Sequence, residues 1–230
     1  MGPLSKMAPM LFYYPFTMQI AIFQFSLFGI NTYLVFDPET KECAVIDPGM
    51  TTREEEKAIE NFMAEKGLRL TQVINTHLHI DHVAGIPFLQ KKYGVKVVAH
   101  EGDKFLGDSI AEQAASFGLN LPIDNIEISE YIKAGDKIKI GDGTLDVISV
   151  PGHSKGSIAL YDREGKFLIS GDALFQGSIG RTDLPGGNYK ELIDSIRSEL
   201  LTLPDDTVVF PGHGEPSTIG EEKRYNPFLR

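Results

Sequence analysis

The amino-acid sequence predicts an α+β fold in which two β-sheets are covered by helices on their outer faces. Strand-like runs outnumber helical runs, and several strands are joined by hairpin turns such as residues 162–165. The helical stretches occur at intervals rather than after every strand. A parallel doubly wound sheet would instead alternate one strand with one helix along the chain. The pattern therefore favours two sheets with external helices.

The first half of the chain contains both kinds of element. A helix is predicted over residues 52–66, because a threonine starts it, acidic residues fill its first turn and Gly67 can cap its end. A second helix is predicted over residues 83–93, where Gly94 stops it. Strands are predicted at residues 20–23, 31–36, 44–46, 72–75 and 95–99 from their apolar and β-branched side chains.

The second half is dominated by strands. They are predicted at residues 136–140, 144–150, 157–162, 166–170 and 207–210, with one helix over residues 188–201. Residues 101–130 have only weak helical patterning. Two interpretations stay open for their apolar residues Phe105, Leu106, Phe117 and Leu119: a lid over a functional site, or a helix that packs into the core.

The length of the chain indicates how many domains it forms, and its net charge indicates which kinds of partner it can bind. A chain of 230 residues can form one substantial core, and we expect a single domain over residues 18–230. We expect residues 1–17 to be a tail, an added remnant or the product of a misread start. The net charge of -10 gives no electrostatic reason to bind nucleic acid or an anionic membrane. No run is long and apolar enough to span a membrane, so we expect neither partner.

The single cysteine, Cys43, bears on compartment and chemistry. One cysteine excludes an intramolecular disulfide and indicates a reducing compartment, so we expect a cytoplasmic protein. Cys43 lies in the strand-like run of residues 43–46, and no activating histidine is adjacent. We therefore expect a buried, inert thiol rather than a catalytic one.

Five of the six histidines lie in three short turns, each of which follows an apolar run. Four predicted strands run directly into a candidate ligand, and these ligands are His77, His153, Asp172 and His213. Strand ends hold side chains rigidly, which a metal site requires. Histidine and aspartate are the usual nitrogen and oxygen ligands of zinc and iron. The pattern therefore predicts a metal site. His100 stands outside the pattern, and we expect it either to have a structural role or to support a ligand from behind.

The spacing within residues 77–82 indicates two metal positions rather than one. His77 and His79 are two residues apart in an extended segment and point the same way. Asp81 and His82 follow as the chain turns into the next helix, so they address a neighbouring point. Seven such groups can bind two divalent ions roughly 3.5–4 Å apart with a shared carboxylate. We expect zinc, with iron or manganese as the alternatives.

These residues resemble the metallo-β-lactamase superfamily, whose signature is His-x-His-x-Asp-His followed by a later His, Asp and His. The resemblance covers residues 18–227 and implies an αβ/βα four-layer sandwich with two mainly antiparallel sheets. It implies that one metal is bound by His77, His79 and His153, and the second by Asp81, His82 and His213, with Asp172 as the bridge. Asp47 matches an aspartate that supports the ligand loop.

Residues 171–183 resemble the glyoxalase II-like, or hydroxyacylglutathione hydrolase-like, enzymes of the small single-domain type. This resemblance implies a thioesterase in which a metal-activated hydroxide attacks a small thioester such as S-2-hydroxyacylglutathione. It implies that Asp81 orients the nucleophile and that Arg181 binds a substrate carboxylate. Two departures weaken glutathione specificity: no C-terminal helical domain follows His213, and Asp183 replaces a tyrosine of the substrate site.

Other activities of the same superfamily stay open. A mononuclear iron persulfide dioxygenase also carries the sequence of residues 180–183, and its iron would bind His77, His153 and Asp172. A lactone or ester hydrolase is a further alternative. The acidic charge disfavours a nuclease, and the complete ligand set disfavours a metal-binding module without catalysis.

Overall fold

The computed structural model describes residues 9–12, 18–25, 27–118 and 126–230. Its first half contains strands β1 (Met10–Phe12), β2 (Gln19–Phe25), β3 (Ile30–Phe36) and β4 (Glu42–Ile46), helix α1 (Arg53–Lys66) and strand β5 (Arg69–Ile74). Next come helices α2 (Ile80–Val83) and α3 (Ile86–Tyr93), strand β6 (Lys96–His100), a 3-10 turn (Glu101–Asp103), helices α4 (Lys104–Gly107) and α5 (Ile110–Ser116), and strand β7 (Glu130–Ile132).

The second half begins with four longer strands and a short hairpin. These are β8 (Lys137–Ile140), β9 (Gly143–Ser149), β10 (Ile158–Asp162), β11 (Phe167–Gly171), β12 (Leu174–Phe175) and β13 (Ser178–Ile179). Helix α6 (Tyr189–Ser195) continues into a π-helical turn (Ile196–Leu200), and the chain ends with β14 (Val208–Pro211), β15 (Ser217–Thr218) and α7 (Ile219–Tyr225).

The strands form two large mixed sheets. The first has the order β1-β2-β3-β4-β5-β6-β7 and the second the order β15-β14-β11-β10-β9-β8. The second sheet is mainly antiparallel, as expected, since only β11 and β14 pair in parallel. The first sheet is antiparallel from β1 to β4 but parallel from β4 to β7. Its parallel half follows from the crossover connections through α1 and α3.

Alternation along the strands builds the layers. In β2, Ile20 and Ile22 belong to the apolar cluster shared by the two sheets, whereas Ala21 and Phe23 belong to the cluster under α1, α3 and α5. In the second sheet the outer side chains pack instead against α6 and its π-helical turn, through residues such as Leu192. Both faces of each sheet are therefore buried, and the predicted four-layer αβ/βα sandwich is confirmed.

Several local predictions differ from the structure. The single helix predicted over residues 83–93 is broken at Gly85, because the chain turns there between α2 and α3. Residues 10–12, part of the expected tail, pair with β2 as an antiparallel strand. Residues 1–8 and 13–17 lie outside the described residues. No helix in the described parts of the chain is long and apolar enough to cross a membrane.

Cys43 lies on β4, fully buried, with its sulfur 3.9 Å from that of Met63. Burial raises the pKa of the Cys43 thiol to about 12, so almost no nucleophilic thiolate forms at neutral pH. We expect a thiol reagent at pH 8 to label the native protein about 100-fold more slowly than the urea-unfolded chain. Rapid labelling of native protein, followed by absorbance, would contradict a buried and inert cysteine.

Candidate metal centre

The geometry of the second sheet explains why three of its strand ends meet. Strands β9 and β11 both run antiparallel to β10, and β14 runs parallel to β11. Their carboxyl ends therefore lie at one edge, and the residues that follow them are His153, Asp172 and His213. The loop after β5 of the first sheet adds residues 77–82 at the same edge, where the Ile158 amide donates to the Thr76 carbonyl at 2.9 Å. The structure thus brings all seven predicted ligands together.

The first group consists of His77, His79 and His153, all buried. Nδ1 of His79 lies 2.9 Å from Nε2 of His153, which in turn lies 3.2 Å from Nε2 of His77. The other ring nitrogen of His153, Nδ1, donates to the Arg181 carbonyl at 2.8 Å. This bond leaves the lone pair of His153 Nε2 free to face the other two imidazoles.

The second group consists of Asp81, His82 and His213. Nε2 of His213 lies 3.1 Å from Oδ2 of Asp81, and Nε2 of His82 lies 3.8 Å from the same oxygen. Asp172 sits between the two groups: its Oδ1 is 3.4 Å from His82 Nε2, and its Oδ2 is 3.7 Å from His153 Nε2 and 3.6 Å from His213 Nε2. The Asp172 carboxylate therefore faces both groups.

The donor set fits divalent cations. Nε2 of His82 and Oδ1 of Asp172 are buried and have no hydrogen-bond partner, although such unpaired atoms cost about 1–3 kcal/mol each. Nδ1 of His79 and Nε2 of His77 likewise face Nε2 of His153, at 2.9 and 3.2 Å. A cation that accepts these lone pairs removes the cost, and nitrogen and carboxylate oxygen are ligands of zinc and iron.

The protonation states of these groups suit the same role. Burial, together with the neighbouring imidazoles, lowers the pKa of His77 well below its usual value and that of His79 to about 3. Both rings are therefore neutral at pH 7 with a lone pair available. Burial opposes ionisation of Asp172, but the combined attraction of His82, His213 and His153 outweighs it and lowers the pKa of that carboxyl. The shared carboxylate is therefore ionised.

Asp47 supports the loop that carries the histidines. It is fully buried, and its carboxylate accepts hydrogen bonds from the Thr76 amide at 2.8 Å and from the Thr76 hydroxyl at 2.6 Å. That hydroxyl lies 3.2 Å from Nδ1 of His77, and Oδ2 of Asp47 lies 3.0 Å from Nδ1 of His82. One carboxylate thus orients a histidine from each group.

The turn that carries His213 is held from the first sheet. The Asn31 side chain donates to the carbonyls of Pro211 at 3.0 Å and Gly214 at 2.8 Å, and the Asn31 amide donates to the Gly212 carbonyl at 2.8 Å. A side chain at Gly212 would overlap the Asp172 carboxylate, so glycine is required for this close approach. Asn31 was not identified from the sequence, because its partners lie about 180 residues away.

Asp103 and Gln113, which sequence reasoning also missed, clamp the ligand loop from the other side. Asp103 is fully buried and accepts from the amides of Leu78 at 3.2 Å and Gly156 at 2.6 Å, and from the Ser154 hydroxyl at 2.7 Å. Gln113 accepts from the Ile80 amide at 3.1 Å. These two residues therefore join the 101–116 segment to the loops that carry His79 and His153.

We expect Asp103→Ala to lower the free energy of unfolding by about 2–4 kcal/mol, because it leaves the Leu78 and Gly156 amides buried without an acceptor. Urea denaturation followed by circular dichroism measures the change. Asp108→Ala is the matched control, since Asp108 lies in the same segment but pairs only with Lys104 at the surface. Equal stability of the two variants would show that Asp103 clamps nothing.

A cavity of about 650 Å³ opens onto the candidate metal centre. Five of the seven candidate ligands line it, as do Arg181, Phe105, Leu106 and Phe117 of the residues that the sequence singled out. Phe105 and Phe117 are about half-exposed, whereas Leu106 is buried. The 101–116 segment thus forms a wall of the cavity and also packs into the core. It therefore combines the two interpretations offered for it, a cover over the site and a helix packed into the core. Leu119 lies outside the described residues.

The two remaining predicted residues have plainer surroundings. Arg181 is exposed, and its guanidinium donates to both carboxylate oxygens of Asp183, at 2.7 and 2.6 Å. His100 belongs to neither group of candidate ligands, and its Nδ1 accepts from the Gly102 amide at 3.0 Å. His100 therefore caps a short turn.

Comparison with known proteins gives matches along most of the chain. The model of the metallo-beta-lactamase superfamily matches residues 26–213. Hydroxyacylglutathione hydrolase GloC of Haemophilus influenzae is 41% identical over 213 residues, which cover 92% of this chain and 98% of the relative. The crystal structure of BLEG-1 B3 metallo-beta-lactamase superposes with a TM-score of 0.83 at 31% identity and covers 91% of this chain and 99% of that one. The structure of TTHA1623 in a di-iron-bound form superposes with a TM-score of 0.80 at 36% identity and covers 90% and 99%.

Proposed function

Because this chain belongs to the metallo-β-lactamase superfamily, we propose that its metal centre hydrolyses a small thioester of the S-2-hydroxyacylglutathione kind. The observation that carries the proposal is the pair of convergent ligand groups at the mouth of a cavity. The relative GloC, a hydroxyacylglutathione hydrolase with 41% identity over nearly the whole chain, supports the choice of a thioester.

We assign His77, His79 and His153 to one metal ion and Asp81, His82 and His213 to the other, with Asp172 shared. Two divalent ions bound there would polarise a thioester carbonyl and lower the pKa of water to about 7. Zinc is the expected ion, and iron is supported by the di-iron form of the neighbouring structure TTHA1623.

The residues around the ions hold and orient the reactants. We propose that the Asp81 carboxylate, which lines the cavity, accepts a hydrogen bond from the attacking water and so directs its oxygen at the carbonyl carbon. The carbon–sulfur bond then breaks, and the sulfur leaves as a thiolate. A thiolate is a stable leaving group at neutral pH, so no separate general acid is needed. Water supplies the oxygen and the proton of the acid and thiol products.

A direct assay tests the proposal. Metal-quantified protein should hydrolyse S-lactoylglutathione, with about two metal ions bound per chain. His153→Asn should lose about 10³-fold in kcat/KM, because it removes a ligand of the first group. His100→Asn is the matched control, since this histidine lies outside the groups and asparagine can still cap the turn.

The same protein preparation distinguishes the proposed thioesterase from the leading alternative, an iron persulfide dioxygenase. Negligible thioester turnover by fully metallated protein would contradict the thioesterase proposal. Oxygen uptake with a persulfide by iron-loaded protein would then support a mononuclear dioxygenase on His77, His153 and Asp172. Turnover of a lactone or a simple ester in the same preparation would support the remaining hydrolase alternative.

A further inference from the structure

The walls of the cavity beside the proposed metal centre are mainly apolar. Nine apolar side chains line it among the described residues, and four of them are phenylalanines: Phe28, Phe105, Phe117 and Phe175. Phe117 is 50% and Phe105 38% exposed, so large aromatic surfaces remain open to solvent inside a concave site. Surfaces of this kind gain most free energy when an apolar group covers them.

Two of the phenylalanines contact each other, and a third contacts a candidate metal ligand. The rings of Phe28 and Phe117 meet edge to face with centroids 6.2 Å apart. Phe175 approaches the His213 ring in the same way at 6.4 Å, which connects the apolar walls to the metal centre. Aromatic side chains favour a further ring in offset or edge-to-face contact at such distances.

Outside the proposed metal centre, the side chains around the cavity provide little positive charge for an anionic group. Among the described lining residues Arg181 is the one lysine or arginine, and Asp183 already binds its guanidinium through two hydrogen bonds. Glu112 adds a negative charge to the lining. The nearby Lys155 lies over the Phe105 ring, with Nζ 5.6 Å from the centroid, and is not a lining residue.

From these walls and charges we infer that the cavity binds the acyl group of the substrate and that this group is apolar and about the size of an aromatic ring. The inference rests on the proposed thioesterase function. The carrier half of S-2-hydroxyacylglutathione is a peptide with two carboxylates, which the apolar walls do not suit. The acyl half is uncharged, and the cavity is much larger than the methyl group of a lactoyl substrate needs.

A matched pair of thioesters tests the acyl preference. S-mandeloylglutathione and S-lactoylglutathione share the carrier and the 2-hydroxyl group and differ by a phenyl in place of a methyl. We expect kcat/KM of metal-loaded protein to be about tenfold higher for the mandeloyl substrate, because its ring is partly buried against the walls. Equal values, or a preference for lactoyl, would overturn the inference and leave thioester hydrolysis intact.

Variants show whether the walls cause the preference. Phe117→Ala should reduce the mandeloyl-to-lactoyl ratio from about ten to about three, since it removes one face of the site. Phe228→Ala is the matched control, because Phe228 has a similar exposure but does not line the cavity. A ratio that survives Phe117→Ala and Phe105→Ala, each shown to be folded by circular dichroism, would contradict the assignment of the preference to these walls.

A binding measurement separates the two proposals. S-benzylglutathione and S-methylglutathione are thioethers, so the enzyme cannot hydrolyse them, and calorimetry gives their Kd values with metal-loaded protein. About tenfold tighter binding of the benzyl compound supports an apolar acyl site even if no thioester is turned over. Equal affinities in that case would overturn the inference together with the proposed function.

Discussion

Asp172→Asn is expected to remove at least one of the two metal ions and to lower kcat/KM by about 10³-fold or more. Asp172 is the one carboxylate in the described structure that faces both groups, at 3.4 to 3.7 Å from nitrogens of His82, His153 and His213. The neutral amide of asparagine is a weaker ligand and cannot bridge two cations through two anionic oxygens. Metal analysis of the purified variant and steady-state kinetics with S-lactoylglutathione measure the two effects.

The control for this variant is Asp194→Asn. It makes the same chemical change on the exposed face of α6, where Asp194 pairs with Lys190, and it should keep both ions and full activity. Circular dichroism distinguishes loss of metal from loss of fold. Full activity with two ions bound to Asp172→Asn would refute the proposed shared carboxylate.

Asp47→Asn is expected to weaken metal binding about 10- to 100-fold, although Asp47 is not a proposed ligand. Oδ2 of Asp47 faces the Thr76 hydroxyl at 2.6 Å and Nδ1 of His82 at 3.0 Å. An amide nitrogen in place of Oδ2 would be a hydrogen-bond donor that faces two other donors, the Thr76 hydroxyl and His82 Nδ1. His82 would then lose its orientation, and so would His77, which the Thr76 hydroxyl contacts. The backbone of Asp47 has a φ of 51°, which asparagine tolerates, so the substitution itself adds little strain.

Competition with a chromophoric chelator measures the affinity of the Asp47 variant. Asp37→Asn is the matched control, because Asp37 is also buried and accepts backbone hydrogen bonds, from Glu39 and Asp142 at 2.8 Å. Asp37 follows the carboxyl end of β3, whereas the Ile30–His213 bridge lies at the amino end of that strand. Asp37→Asn should therefore reduce stability without changing the affinity for metal. An unchanged affinity in Asp47→Asn would show that the aspartate only shapes a turn.

Elements whose signals are local were predicted well. Helix α1 begins after Thr52 with a capping box to Glu55 and ends at Gly67 in the left-handed conformation, as its sequence indicates. Helix α7 was missed, although the Thr218 side chain caps its first turn by accepting from the Glu221 amide. The three-residue strands β1 and β7 are too short to show an alternating pattern, and pairing with long neighbours stabilises them.

The motif residues carried most of the functional inference. Two histidines in an extended segment, followed by an aspartate and a histidine, resembled one superfamily, and the match of residues 26–213 confirms that resemblance. The same residues predicted which side chains would meet, because each follows an apolar strand and strand ends are rigid. The roles of Arg181 and Asp81 toward a substrate stay predictions that the assays above test.

The sequence by itself determined which histidines and aspartates gather as candidate ligands, the alternation that buries both faces of each sheet, and the superfamily. Only the tertiary structure decided what surrounds the ligands. Asp103, Gln113 and Asn31 act on backbone atoms of distant loops, and backbone amides leave no mark in a sequence. The tertiary structure also decided the ion pair between Arg181 and Asp183 and the phenylalanine walls of the cavity. Several chain segments must fold together before a cavity exists. Metal chemistry is encoded by residue type, whereas substrate selection depends on shape and charge assembled across the fold.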